Sequence, residues 1–301
     1  MELFLIDNAS TDGTLQVASE ILTHSPFEAI HVIRLRRNHG TTRSRNLAFR
    51  KAAGEHVLVL DSDTELLPGA IEALITSARE PRVGIVGPRL ISPDGSTQAA
   101  SKRFPTMRTK LLKILGGTLL HGLAEADELY SRSIYDGDRS YEVDYCISAT
   151  WLVNTVAMKE VGLLDERIFY APEDVDYCLR MWMHGWRVLY NPIAHVIHHT
   201  QRMSYRSISI MASHAWGLLY YFYKHRYFGL VIHFIDASAR EVVKKVPLCD
   251  GGLVGPTGVA VSRLTGRVTG LCAGTRDRWY GRGNSLMVTT QAQATARHEA
   301  Q

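Results

Sequence analysis

The string His56-Val57-Leu58-Val59-Leu60-Asp61-Ser62-Asp63 carries the most chemistry in this 301-residue chain. Five strand-forming residues run into two carboxylates one residue apart. That spacing places Asp61 and Asp63 at the carboxyl end of a buried strand, the edge at which α/β sheets bind ligands. Two carboxylates there can hold a divalent cation, and the cation can hold a diphosphate. An Asp-x-Asp in a loop after a strand is common, so its meaning depends on what other stretches bring to the same edge.

Three stretches do so. Asp7-Asn8-Ala9-Ser10-Thr11-Asp12-Gly13-Thr14 follows the first apolar run. Asp12 reads as a helix cap, whereas Asp7 ends a strand and can accept a hydrogen bond from the imide N–H of uracil or thymine. Asn38-His39-Gly40-Thr41-Thr42-Arg43-Ser44-Arg45-Asn46 joins a strand to a helix. Cations at a helix start are unfavourable by roughly 0.3–1 kcal/mol, so Arg45, and less strongly Arg43, point to a polar or anionic ligand. Asp165-Glu166-Arg167-Ile168-Phe169-Tyr170-Ala171-Pro172-Glu173-Asp174-Val175-Asp176 opens a helix with three acids. Acids in a first turn complement the macrodipole, and Asp176 is spaced to pair with Arg180. Three exceed what capping needs, and one of them can act as a general base if burial raises its pKa. Finally, Ala194-His195-Val196-Ile197-His198-His199 places its last two imidazoles on opposite sides of an extended segment, and one of them can complete a metal site.

The elements that must position these residues alternate. Leu3–Ile6, Ile30–Leu35, His56–Leu60 and Val83–Val86 read as strands. Between them Thr14–Leu22, Thr41–Ala53 and Pro68–Arg79 read as helices, with Gly54 a stop and Pro68 in a first turn. This is an α/β pattern: a mostly parallel sheet with helices on both faces. A hairpin follows over 89–98, turning at Asp94-Gly95. Val143–Val153 is apolar enough for one buried strand. Glu173–His184 is a helix stopped by Gly185, and Trp186–Tyr190 is a short strand. From Ser204 to Lys245 the chain is helical and aromatic. Beyond Pro247 it is rich in Gly, Thr and Arg without periodicity, and its last ~15 residues are expected to be disordered.

The composition excludes several classes. With 46% hydrophobic and 21% charged residues the chain can build a large core. A net charge of +4 is too small to argue for nucleic acid. The four cysteines form no Cys-x-x-Cys pair, so neither a disulfide framework nor a zinc site is expected, and a cytoplasmic location fits. The start Met1-Glu2-Leu3 does not read as a signal peptide, and no apolar run reaches transmembrane length. Aromatic and basic residues mix from Ala215 to Phe234, which suits either an interfacial helix on the inner face of the cell membrane or a helix covering the sheet.

The ordered set Asp-Asn-Ala-Ser-Thr-Asp-Gly-Thr, Asn-x-Gly-x-x-x-x-Arg-Asn, Asp-Ser-Asp, Glu-Asp-x-Asp and His-His resembles the inverting family 2 glycosyltransferases of GT-A fold. Pro88-Arg89-Leu90, Arg103-Phe104-Pro105, Val161-Gly162-Leu163-Leu164-Asp165-Glu166 and Asn191-Pro192-Ile193-Ala194 look most like the rhamnosyltransferase branch that builds bacterial cell-surface polysaccharide. The resemblance spans residues 2 to about 230. It implies a GT-A catalytic part over 1–203, a helical and aromatic segment over 204–246 and an irregular tail over 247–301. By this resemblance Asp7 contacts the base, Arg45 supports the nucleotide, and Asp61 lies near ribose and metal. Asp63 binds Mg²⁺ or Mn²⁺ with His198 (or His199), and Asp174 is the catalytic base with Glu173 its neighbour and possible substitute. Trp151, within Ser148-Ala149-Thr150-Trp151, is grouped with the donor-binding residues. The partners implied are a dTDP- or UDP-sugar and a glycan or lipid-linked acceptor.

Two departures from the family pattern set further expectations. The motifs begin at what the family treats as its second strand, so backbone edges within the sheet are expected to lack a partner. Ala149 stands where the family commonly has Gly, so sugar specificity does not carry over. Two competing readings follow, a nucleotide-sugar-binding remnant without turnover and a nucleotidyltransferase-like enzyme. The second would need a Gly-rich phosphate loop, which does not open this chain.

Overall fold

The computed structural model describes residues 1–23, 25–116, 118–199, 208–226 and the strand 284–291. In chain order the elements are β1 (Glu2–Asn8), α1 (Thr14–Leu22), β2 (Ala29–Arg34), α2 (Gly40–Phe49), β3 (His56–Asp61), β4 (Thr64–Leu66), α3 (Ala70–Ala78) and β5 (Val83–Ile91). There follow β6 (Ser101–Lys102), α4 (Met107–Leu115), α5 (Thr118–Glu128), α6 (Arg132–Tyr135), β7 (Tyr141–Glu142), β8 (Tyr145–Cys146) and β9 (Thr150–Asn154). The last are α7 (Thr155–Val161), α8 (Glu173–Met183), β10 (Arg187–His198), α9 (Ile208–His225) and β11 (Asn284–Gln291).

The main sheet among the described residues runs β2-β1-β11-β3-β9-β5-β10-β4, with β7 on β10. Period-2 alternation divides its strands between two cores. Phe4, Ile6, Val57, Val59, Ile85 and Val153 face α2, α7 and α8. Leu3, Leu58, Leu60, Val86 and Leu152 face α3. Helices on both faces agree with the sequence reading, and the sheet is mixed, because β9 is antiparallel to both β3 and β5. The expected single strand Val143–Val153 is two short ones. At the break between them Ala149 O accepts from Asp61 N at 2.9 Å, which ties this loop to the end of β3.

Two differences from the sequence reading bear on the site. The strand expected over Trp186–Tyr190 continues to His198, because its second half pairs with β4 as well as β5. The stretch 247–301 is not wholly irregular. Asn284–Gln291 forms β11, parallel to β1 on one side and to β3 on the other. The backbone edges expected to lack a partner are therefore paired, with Asp7 opposite Thr290 and Asp61 opposite Thr289. Its Gly- and Thr-rich surroundings hide this strand from periodicity, and two open ladder edges supply the pairing that defines it.

α9 packs against residues 165–176. Its Gly217, Tyr221 and Lys224–His225 lie on one stripe. Gly217 approaches so closely that an added Cβ would sit 2.1 Å from Ala171 O. Tyr221 and Phe222 are buried. Lys224 Nζ reaches Asp165 at 2.9 Å and Asp176 at 2.6 Å, and His225 Nε2 meets Asp176 at 2.8 Å. Of the two basic residues here that suggested contact with a membrane surface, Lys224 is thus spent on two carboxylates and Arg226 is exposed. Residues 227–234 of the aromatic segment lie outside the described residues. Among the described residues no helix is long and apolar enough to cross a membrane.

Candidate active site

α2 is the unusual element of the fold. It is a polar helix that is nevertheless buried at Thr41, Thr42, Ser44, Arg45 and Asn46. Buried polar groups persist where they are hydrogen-bonded, as Thr42, Ser44 and Asn46 are here. Thr42 Oγ1 donates to Ile168 O at 2.6 Å, Ser44 Oγ to Gly40 O at 2.7 Å, and Asn46 Nδ2 to Leu164 O at 2.9 Å. The helix start is braced from the other side, where Asn8 Oδ1 accepts from His39 N and Asn8 Nδ2 donates to Asn38 Oδ1, both at 2.9 Å. Gly40, at φ 78°, lies so close to the 168–169 loop that a Cβ would stand 2.0 Å from Phe169 O, the acceptor for Thr41 N. Gly40→Ala is therefore expected to destabilise the protein by more than about 2 kcal/mol in a denaturant titration. A loss below that would mean the helix start can relax.

This brace aims Arg45. Its Nη2 donates to Asp61 Oδ1 at 2.6 Å, and its Nη1 donates to Glu173 Oε1 at 3.2 Å and to Ser148 Oγ at 2.8 Å. Ser148 Oγ donates in turn to Glu173 Oε1 at 3.1 Å. Arg45 is 1% exposed. Burial works against its charge, but Asp61 and Glu173 overcome that, and the guanidinium is held above its ordinary range. The Arg45 Nη1 and Nη2 donors go to Asp61, Glu173 and Ser148, while its buried Nε has no hydrogen-bond partner among the described residues. Arg45 thereby fixes Asp61 at the sheet edge. Glu173 Oε1 is shared by Arg45 and Ser148. Trp151, expected among the donor-binding residues, lies in the core. It is wholly buried, stacked on Tyr177 with ring centroids 6.0 Å apart, and its Nε1 donates to Cys146 O at 3.0 Å. Arg43 faces outward toward Glu166.

Asp174, beside Glu173, is only half-buried. Its Oδ1 accepts from Val175 N at 2.8 Å. Burial pushes its carboxyl up, partly offset by the Val175 N–H and by Arg45. Burial and the Asp174 charge push Glu173 up as well. Asp176, by contrast, forms the expected i,i+4 pair with Arg180 at 3.0 Å and belongs to the α9 anchor.

β4 and β10 join the two ends of the candidate metal site. Thr64 lies opposite His198, and His199 N donates to Asp63 O at 2.8 Å. His198 Nε2 faces Asp63 Oδ1 at 3.7 Å. Burial pushes the His198 imidazole down, so it is neutral near pH 7, the form that ligates metals. His199 points the other way, to Glu65 Oε1 at 2.7 Å. Burial and the Asp61 charge push the Asp63 carboxyl up to about 6. Carboxylate plus imidazole suits Mn²⁺ or Mg²⁺ with further oxygens from phosphate or water. Among the described residues no group of three or more His, Cys, Asp or Glu could hold an ion without such help. A pocket of about 690 Å³ opens beside His198, walled by Ser92, Thr97, Gln98 and His199. On the far side of the edge Asp7 is buried at the end of β1, where its Oδ1 accepts from Ser10 N at 3.0 Å.

Gln98 and Ser148 are the polar partners that sequence reasoning did not single out. Gln98 does close the hairpin that the Asp-Gly turn revealed. Its signal was a long amide at the point where that hairpin returns to the sheet.

The glycosyl transferase family 2 model matches residues 1–137. An N-acetylglucosaminyl-diphospho-decaprenol L-rhamnosyltransferase of Mycobacterium tuberculosis is 30% identical over 225 residues, covering 71% of this chain and 72% of that protein. The chain belongs to glycosyl transferase family 2. This glycosyltransferase is also 24% identical to a dTDP-rhamnosyl transferase of Shigella flexneri, over 57% of this chain and 53% of the relative. Its fold is shared with a mannosyltransferase of Pyrobaculum calidifontis in complex with GDP-Man and Mn²⁺, at TM-score 0.50 and 16% identity, covering 79% of this chain and 59% of that one. The GT-A fold expected from the motifs is thus present, and the function lies in sugar transfer during glycan synthesis.

Proposed function

We propose that this glycosyltransferase moves a sugar from a dTDP- or UDP-sugar to a hydroxyl of a glycan or lipid-linked acceptor, with inversion and with Mg²⁺ or Mn²⁺ bound. The facing of Asp63 and His198, beside an Asp61 held by Arg45, carries this reading. Asp63 and His198 would hold the cation, with Asp61 at their side. When bound, the cation supplies positive charge against the departing diphosphate. Asp7 would accept from the imide of the base. The hydroxyl- and amide-walled pocket beside His198 admits a sugar. Asp174 takes the proton of the acceptor hydroxyl while that oxygen bonds the anomeric carbon. The bond from that carbon to the diphosphate oxygen breaks on the opposite face, and the electron pair leaves with the nucleoside diphosphate. One displacement inverts the configuration, as in inverting hydrolases.

The named relatives favour dTDP-rhamnose and an acceptor of the N-acetylglucosaminyl-diphospho-polyprenol type. The test is to incubate those two with Mn²⁺ and read the anomeric configuration of the product by NMR. Transfer with inversion supports the reading, and a retained configuration contradicts it.

Metal dependence carries a pH signature. The folded Asp63 carboxyl lies above its ordinary 3.8, at about 6. Without metal its contribution to stability is therefore present below pH 3.8 and lost as pH rises through about 6. Metal binding needs the carboxylate, so affinity for Mn²⁺ rises about tenfold per pH unit below that value and levels off above it. Calorimetric titration of Mn²⁺ between pH 5 and 8 checks this, and a flat profile would remove Asp63 from the site.

A lipid-linked acceptor gives meaning to the outer face of α9. Trp216, Leu219 and Tyr223 are exposed along one stripe, opposite the face that docks. This stripe, rather than Lys224, is the part of α9 proposed to rest on a membrane surface. Replacing all three by Ser should abolish co-flotation with anionic vesicles; unchanged flotation would leave α9 as a cover for the sheet alone.

A further inference from the structure

We infer that Gln98 is a positioning residue that sets both the rotamer and the tautomer of His198 for metal binding. The inference rests on the metal reading above and concerns a residue that no motif marks. The Gln98 amide holds His198 at two points. Its Nε2 donates to the His198 main-chain O at 2.9 Å, and its Oε1 lies 2.8 Å from His198 Nδ1. An amide oxygen only accepts, so that contact requires the proton on Nδ1. The imidazole form that ligates metals is neutral and carries one ring proton. The lone pair is therefore on Nε2, the nitrogen that faces Asp63 Oδ1 at 3.7 Å. The amide cannot flip without placing its NH₂ against Nδ1 and its oxygen against the His198 carbonyl. The two contacts thus select one orientation of each group.

The hairpin holds Gln98 in turn. Gln98 N donates to Leu90 O at 2.8 Å, and Gln98 Nε2 also reaches Ser92 Oγ at 3.1 Å. Arg89 grips the neighbouring Thr97 Oγ1 and Asp136. The ladder to β4 holds the His198 backbone opposite Thr64, and the hairpin adds a hold on its ring. A partner of this kind orients a ligating imidazole, and its removal typically costs 10–100-fold in metal affinity.

Gln98→Met keeps length and removes both contacts, whereas Gln98→Glu keeps an acceptor for the Nδ1 proton. Imidazole ¹⁵N shifts of the metal-free protein should show His198 with its proton on Nδ1 in the parent chain and in Gln98→Glu. In Gln98→Met they should show a mixture of tautomers. Affinity for Mn²⁺, measured with the nucleoside diphosphate that raises the melting temperature, should fall tenfold or more in Gln98→Met and less in Gln98→Glu. Asp63→Ala is the reference. If Asp63→Ala loses Mn²⁺ affinity while Gln98→Met matches the parent in affinity and tautomer, the role of Gln98 is overturned and the metal reading stands. If the parent chain shows no Mn²⁺ response, or Asp63→Ala keeps it, both fall.

Discussion

Asp174→Asn is expected to lower kcat by about 10²–10⁴-fold while leaving the KM for the donor nearly unchanged. The amide has the shape of the carboxylate, and its oxygen can still accept from Val175 N, so the start of α8 should keep its geometry. It cannot take a proton from an attacking hydroxyl. Burial pushes the Asp174 carboxyl up, toward the range in which a base is both ionised and basic enough near neutral pH. Activity should accordingly fall on the acid side as Asp174 becomes protonated, and Asp174→Asn should lose that limb. Glu173→Gln makes the contrast. Glu173 Oε1 anchors Arg45 and Ser148, so its variant should lose stability before it loses the chemical step. Steady-state kinetics with matched melting curves separates the two. Full kcat in Asp174→Asn would dismiss it as the base.

Arg45→Met should be the most destabilising single change in the site, by about 3–5 kcal/mol. It strips Asp61 and the buried Glu173 of their shared cation, and it leaves Ser148 Oγ and O without the guanidinium donors. At roughly 2–4 °C per kcal/mol for a protein of this size, the melting temperature should drop by about 10 °C or more. The sign of its pH dependence is fixed. Burial already raises the Glu173 carboxyl and Arg45 opposes that, so without Arg45 Glu173 holds its proton still more tightly in the folded state and the deficit should shrink as pH is lowered. Arg45→Lys should recover only part of the loss, since an ammonium cannot span Asp61 and Glu173 as a planar fork does. Melting curves from pH 5 to 8 test this. A melting temperature of Arg45→Met within a few degrees of the parent would show that Asp61 needs no such anchor.

The alternation of strands and helices was legible because each strand of β1, β3 and β5 is apolar on both faces and each intervening helix carries a start or stop residue. The antiparallel β9 was not, because Val143–Val153 reads as one apolar run. Only the contact of Ala149 O with Asp61 N shows why it breaks. β11 was illegible for a different reason: its pairing is decided by two distant ladders rather than by its own pattern.

In the site, residue type and strand-end position pointed to Asp61, Asp63 and His198, and the structure brings them to one edge. What sequence could not supply was burial. Arg45 and Trp151 have the chemistry of ligand contacts, yet one is sealed under Asp61 and the other fills the core against Tyr177. Lys224 shows the same limit. A cation among aromatics reads as facing a polar surface until Asp165 and Asp176 are seen to take it. Gln98 and Ser148 acquire their roles from partners that are remote in the chain, and no local pattern encodes such a pairing.

The central claim is that Asp63 and His198 form a cation-dependent nucleotide site. Thermal unfolding of the parent chain and of Asp63→Ala, with Mn²⁺ and each of dTDP, UDP and GDP, tests it most directly, because a ligand that binds only the folded state raises the melting temperature. The account predicts a rise with dTDP or UDP that requires Mn²⁺ and is absent in Asp63→Ala. An equal rise without the metal, or an undiminished rise in Asp63→Ala, would contradict it.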